Sequence, residues 1–339
     1  MKRIFVAVMS AALLYSCGSS EEKTKDSGEE KKTEKEEVAV EKKDTLYLTP
    51  DYAKPLPNEL PKAEREMFKT FLSDSLCAEL FALHKGFDSV KTERQMLIYY
   101  RGLLAFKDRA SNYLMDLNSS EEMYNKVMAE LAKEGETETD EYFDEYRVTL
   151  DYILEKLAPA DNYLHGVKIT CVAECTEPSY ALFLDDLIGK AKSTEGESDE
   201  KYIQLIIENY TGEYEPSTMN AKWFQATWDY GGMSMLGDGF HLAFLKATDK
   251  LIEEKNIFSE YLLSYRDDCM NDLTEWNSFA NGKDAILKEI KQVLKEVKLE
   301  KKEKDAVIIR QREIESFKEN STDGSGMQID CETKDCIFG

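Results

Sequence analysis

From residue 61 onward, apolar residues recur at the three- and four-residue spacing of an α-helix and rarely in the alternation of a β-strand. Cap and stop residues divide this pattern into predicted helices. Their bounds are 61–86, 91–117, 119–135, 140–157, 176–188, 198–210, 239–254, 258–276 and 284–319. The pattern therefore predicts an all-α fold, an irregular multi-helix bundle of about nine to ten helices.

The last predicted helix is long, and its apolar stripe is interrupted. Ile286, Ile290, Val293 and Val297 follow the helical period, but the charged block EKKEK comes before the next apolar position, Val307. We therefore expect this helix to project, bend or lie half exposed. A division of the body into two subdomains near residues 159–176 is a further expectation.

The N-terminus has the composition of an export signal. Lys2 and Arg3 precede an apolar run, Ile4 to Leu14, which is shorter than the roughly 20 residues of a bilayer span. The next residues, Leu14-Tyr15-Ser16-Cys17, resemble the lipobox of bacterial lipoproteins. The resemblance implies cleavage before Cys17 and its modification by fatty-acyl chains such as palmitate, which anchor the protein to a membrane. The alternatives are a chance cysteine after an ordinary signal or an N-terminal membrane anchor.

The segment after Cys17 is predicted to be a disordered charged tether, because it mixes acidic and basic residues and has no aromatic side chain. About 30 such residues reach roughly 30 Å. The predicted organisation is a signal peptide over 1–16, the lipidated cysteine and tether over 17–46, an all-α domain over 47–319 and a flexible tail over 320–339. Glu21 and Glu22 resemble the acidic signal that exports some lipoproteins to the cell surface, and a periplasmic location is the equal alternative. Either way, the predicted location is the outer membrane, through the lipid anchor.

The net charge of the chain is −23, from 67 acidic and 44 basic residues. A phosphate backbone would repel such a chain, so nucleic acid is excluded as a partner. For the same reason, adsorption of the whole body to anionic lipid is disfavoured. The expected partners are the membrane, through the anchor, and an envelope protein or small ligand.

Six cysteines follow Cys17, and an even number in an exported chain favours disulfides. Cys331 and Cys336 are close enough in sequence to pair locally, as are Cys171 and Cys175. A second interpretation takes His165, Cys171 and Cys175 as metal ligands, although their spacing matches no standard zinc pattern. Cys77 and Cys269 lie near apolar stripes, where a buried free thiol is as good an explanation as a bridge.

The most unusual stretch of the body is residues 221–245, which combines aromatic residues with glycine pairs. It supplies the candidate ligand-binding residues Trp223, Trp228, Tyr230, Phe240 and His241. A helix start at Asp238 offers free N–H groups to an anion, and aromatic anchors suit partner binding. The alternative is a well-packed turn between two core helices.

These features favour a non-catalytic binding or interaction module, with no cofactor. One alternative is an envelope hydrolase that uses His241, Asp229 or Asp238 as acid–base groups, which would require these groups to converge on one open pocket. Another is a structural spacer in an envelope assembly.

Overall fold

The computed structural model describes residues 62–134, 145–172, 177–210, 221–226 and 232–317. These residues contain eleven α-helices and two short β-hairpins. The fold is therefore an all-α, multi-helix body, as the sequence predicts. The helices are α1 Lys62–Phe71, α2 Asp74–Ser89, α3 Glu93–Asn118, α4 Glu121–Glu134, α5 Glu145–Leu157, α6 Asp185–Ala191, α7 Ser198–Asn209, α8 Phe240–Glu253, α9 Ser259–Glu275, α10 Lys283–Glu296 and α11 Lys301–Ser316, with a 3₁₀ turn at Ala158–Asn162.

The first predicted helix is two helices. The chain breaks at Ser73, whose side chain accepts a hydrogen bond from the backbone N–H of Leu76 at 3.3 Å and so caps α2. Helix α2 then continues through Gly86 to Ser89. The start of α3 follows expectation, with a capping box between Thr92 and Gln95.

A β-hairpin replaces the helix that the sequence predicts over 176–188. Strands β1 (Val167–Val172) and β2 (Glu177–Leu182) pair antiparallel, and only α6 is helical in the region that follows. The backbone N–H of Tyr180 donates to Ser111 Oγ at 2.9 Å, which ties β2 to α3. This contact between distant segments cannot be read from the local apolar spacing.

The long C-terminal helix is an antiparallel pair, α10 and α11. Val297 ends α10, and Glu300 with Glu303 forms a capping box that starts α11. The Lys283 ammonium donates to the carbonyls of Glu315 and Phe317, both at 2.8 Å, so the start of α10 meets the end of α11. The chain therefore folds back just before the charged block that interrupts the apolar stripe.

One hydrophobic core runs through the described helices, from Phe68 in α1 to Ile314 in α11. All described residues belong to one compact unit, and no boundary falls near 159–176. Helices α8 and α9 pack together, while α10 lies against α8 and α11 against α9. The C-terminal pair thus covers the α8–α9 layer, in which α8 contains the end of the glycine-aromatic stretch, residues 240–245.

Candidate functional site

A second hairpin lies within the glycine-aromatic stretch. Strands β3 (Phe224–Ala226) and β4 (Gly232–Ser234) pair antiparallel, and residues 227–231 connect them. Of the predicted site residues, Trp228, Asp229 and Tyr230 fall in this connection and lie outside the described residues. The structure therefore reports on Trp223, Phe240, His241 and Asp238.

Trp223 belongs to the core, which corrects the prediction that it binds a ligand. Only 2% of the residue is exposed, and its ring lies 4.5 Å from that of Phe244 and 5.1 Å from that of Tyr210. Phe240 is half-buried and packs against the same core. The indole of Trp223, which directly precedes β3, is therefore not accessible to a ligand.

His241 is completely buried and bonded to an acid that the sequence did not suggest. Its Nε2 lies 2.6 Å from Asp272 Oδ1 in α9, and Ser234 Oγ donates to the same oxygen, also at 2.6 Å. The Ser234 hydroxyl also accepts from the backbone N–H of Leu236 at 3.2 Å. This buried network joins the hairpin to α8 and α9.

The network does not have the order of a hydrolytic triad. In such a triad the imidazole lies between the nucleophile and the acid, whereas here Ser234 and His241 both bond to Asp272. Asp238, the other described acid–base candidate, is an exposed residue that is not bonded to His241. The described groups do not converge on one open pocket, so this geometry gives no support to His241 and Asp238 as an acid–base pair.

The N-terminus of α8 does hold an anion, but the anion is a side chain of the protein. The carboxylate of Glu289 in α10 accepts from the backbone N–H groups of Gly237 at 2.6 Å, Gly239 at 2.9 Å and Leu242 at 3.0 Å. Gly239 is the N-cap, with φ +86°, so Asp238 does not have the predicted capping role. Glu289 is 2% exposed and fills the site that the sequence offered to a ligand.

The exposed aromatic surface of this region is formed by Phe224 in β3 and by Trp276, just after α9. Trp276 is 38% exposed, and its Nε1 donates to the Gly232 carbonyl at 3.1 Å. The half-buried ring of Phe224 meets the indole edge-on at 4.9 Å and lies against Gly232, where a Cβ would clash with it. We call Phe224 and Trp276 the aromatic hairpin surface. The sequence showed Trp276 only as the end of a helix.

His165 is not brought together with Cys171, the one predicted cysteine ligand that lies within the described residues. It precedes β1, and the extended strand carries Cys171 roughly 13 Å beyond Val167. Its ring instead stacks on Phe87 at 4.0 Å, beside His84 at 6.5 Å. Burial lowers the pKa of His165. Within the described ranges, no three His, Cys, Asp or Glu residues are placed to hold a metal ion.

The cysteines fall into two groups. Cys77 and Cys269 are buried free thiols, and burial raises the pKa of Cys77 to about 12. Cys171 is disulfide-bonded, but Cys175, Cys331 and Cys336 lie outside the described residues, so every proposed pairing stays a prediction. The lipidation site Cys17 also lies outside them.

Comparisons of the chain with protein-family models, curated proteins and solved structures find no match. In the part of the chain that the structure describes, no helix has both the length and the apolar composition to cross a membrane.

Proposed function

We propose that the protein is an exported bacterial lipoprotein, acylated at Cys17, whose helical body is a non-catalytic binding module of the cell envelope. The lipobox-like sequence Leu14-Tyr15-Ser16-Cys17 supports the anchor. The uses of His241 and Glu289 support a binding role over a hydrolytic one, because both side chains are enclosed by the fold they stabilise. We further infer that Cys171, which is disulfide-bonded, pairs with Cys175, the cysteine nearest to it in the sequence.

The observation that carries the binding role is the aromatic hairpin surface. A tryptophan with 38% exposure is held in one orientation by its own hydrogen bond and by an edge contact to Phe224. The hairpin beneath is fixed to the body, because the Ser234 N–H donates to the Ser278 carbonyl at 2.8 Å and the Ala280 N–H donates to the Ser234 carbonyl at 2.9 Å. Rigid aromatic side chains on such a frame are typical anchors of binding surfaces.

Photo-crosslinking in intact cells tests the binding role, with a photoreactive amino acid at Glu275, an exposed residue next to Trp276. In this background, Trp276→Ala and Phe224→Ala should each reduce the crosslinked product by roughly tenfold or more, while the far-ultraviolet circular dichroism stays unchanged. Tyr113→Ala is the matched control, since Tyr113 is 36% exposed and lies on α3. If Trp276→Ala and Tyr113→Ala give equal amounts of crosslinked product, the aromatic hairpin surface does not bind the partner.

Metabolic labelling with a fatty acid tests the anchor separately. The wild-type chain should incorporate the label and Cys17→Ser should not. Protease treatment of intact cells then distinguishes a surface location from a periplasmic one, because only a surface-exposed body is digested. Absence of label from the wild type would refute acylation whatever the crosslinking shows.

A further inference from the structure

The strongly negative net charge of the chain conceals a basic segment. Residues 283–317, which form α10 and α11, contain ten lysines and arginines against eight aspartates and glutamates, a net charge of +2 in a chain with a total of −23. The rest of the chain is correspondingly more acidic. A charge separation of this kind orients a body in an electric field or against a charged surface.

The lysines of α10 form one outward stripe. Lys288, Lys291 and Lys295 are exposed and follow the three- and four-residue spacing that places side chains on one helix face. The opposite face is the buried one, formed by Ile286, Glu289, Ile290 and Val293. The stripe therefore points away from the core.

Helix α11 extends this surface. Its exposed residues include Lys301 and Arg312, which are three helical turns apart on one face. Ile309, beside Arg312, is 55% exposed. No other large apolar residue among those described is as exposed. We call Lys288, Lys291, Lys295, Lys301 and Arg312 the basic hairpin face. The exposed acidic residues of the two helices are Asp284, Glu296, Asp305 and Glu315, and Glu300 is exposed between the helices.

The basic hairpin face is not neutralised by close ion pairs, although the charge of Lys295 acts on Glu296. Lys246 and Lys298, elsewhere in this layer, pair with Glu296 at 2.7 Å and Glu253 at 3.0 Å. None of the five residues of the face takes part in an ion pair described by the structure. Their charges are thus available to an external anionic surface.

We propose that the basic hairpin face docks the body onto the anionic headgroups of a lipid bilayer. Clustered basic residues attract anionic headgroups, each adding to the attraction near the membrane surface, and the exposed Ile309 adds an aliphatic side chain to this surface. The physiological contact rests on the proposed anchor at Cys17, whose tether of about 30 residues has a root-mean-square reach of roughly 30 Å and so holds the body near the bilayer. The rest of the body is negatively charged and is repelled by the anionic headgroups, so the body docks in one orientation.

Vesicle co-sedimentation of the full-length chain carrying Cys17→Ser tests this proposal without an acyl chain. Binding should be stronger to vesicles of phosphatidylglycerol and phosphatidylcholine than to phosphatidylcholine alone, which gives the baseline for the apolar N-terminus. The triple substitution K288E/K291E/K295E should reduce binding to the anionic vesicles roughly 100-fold. Salt near 1 M, where the Debye length is about 3 Å, should have a similar effect on the parent chain.

The matched control is K126E/K192E/K255E, which makes the same change of charge at exposed lysines outside α10 and α11. Circular dichroism must show that both triple variants keep their helices. If both triple variants lose vesicle binding equally, only the net charge of the chain matters. If neither variant loses binding, the basic hairpin face does not bind lipid. Each result overturns the proposal. It is also overturned if K288E/K291E/K295E binds vesicles normally but loses a crosslinked envelope protein, because the face then serves an acidic protein. Failure of Cys17 to take up fatty acid would remove the anchor without changing these vesicle results.

Discussion

Glu289 occupies the position that an external anion would take at the start of α8. Three backbone N–H groups point at its carboxylate, and the positive end of the helix dipole adds to the attraction. Residue 289 falls in the apolar stripe of α10, next to Ile286 and Ile290. A glutamate at a core position is the sequence signal that could have revealed this contact, although the sequence alone does not identify its partner.

Glu289→Ala should lower the free energy of unfolding by about 3 to 5 kcal/mol, because three buried N–H groups lose their acceptor. Urea denaturation at pH 7 measures the change. Glu289→Gln keeps one acceptor oxygen, so its free energy of unfolding should lie between those of the wild type and Glu289→Ala. Acetate should partly restore the stability of Glu289→Ala, because it can enter the vacated site. Glu296→Ala, on the exposed side of the same helix, is the control and should change little. A stability of Glu289→Ala within about 0.5 kcal/mol of the wild type would contradict the role assigned to the carboxylate.

His165 gives the body a pH dependence of predictable sign. Its pKa is lowered mainly by burial, with His84 and Lys190 acting in the same direction and Asp186 and Asp88 opposing it. The unfolded chain therefore binds the proton more readily than the folded protein. Stability is fully present above the ordinary histidine pKa of about 6.5 and falls as the pH drops through that value toward the lower native pKa.

Paired urea titrations at pH 7.5 and at about pH 5 should show a smaller loss of stability for His165→Gln than for the wild type. Other groups titrate over the same range, so the comparison between the two proteins carries the information. A larger loss in His165→Gln would mean that the imidazole prefers its charged form in the folded state.

Arg266 in α9 joins three helices and links the C-terminal pair to the rest of the fold. Its Nε donates to Asp249 Oδ1 in α8 at 2.8 Å, and its guanidinium also pairs with Glu303 in α11. Burial by itself would lower the pKa of Arg266, but the hydrogen bonds that it donates to Glu303 and Asp249 outweigh this effect and raise the pKa. The cation stays charged and holds α8, α9 and α11 together.

Arg266→Met should cost about 3 to 5 kcal/mol of unfolding free energy, since it leaves two partly buried carboxylates without their cation. Adding Asp249→Asn and Glu303→Gln should recover part of the loss, which separates uncompensated charge from lost packing. Arg101→Met removes an exposed pair with Glu260 and should have a small effect. A loss after Arg266→Met no greater than that after Arg101→Met would show that this buried cluster contributes no net stability.

Elements formed by short-range signals were predictable, and those formed by distant contacts were not. The apolar spacing over residues 91–117 predicted α3, whereas the apolar spacing of Tyr180, Phe183 and Leu187 predicted a helix where β2 and α6 lie. The β-branched residues of β1 were the available signal for a strand. The break between α10 and α11 was visible only as an interrupted stripe, because a chain reversal depends on what the returning helix packs against.

The whole body is one hydrophobic unit, with one buried free thiol in each half of the sequence. Cys77 lies in α2 and Cys269 in α9, and both are completely buried. Burial raises the pKa of both thiols, so each has little of the reactive thiolate while the protein is folded. Reaction with an alkylating reagent therefore requires the surrounding helices to open.

Alkylation by iodoacetamide across a urea series, read by peptide mass spectrometry, should show Cys77 and Cys269 becoming reactive at the same urea concentration. A continuous core from α1 to α11 makes opening of either half unfavourable without the other. The fully denatured chain provides the control for intrinsic reactivity. If Cys77 reacts at lower urea than Cys269, the body unfolds in two steps, and the subdomain division near residues 159–176 regains support. Coincident reaction would confirm that the two halves unfold as one cooperative body.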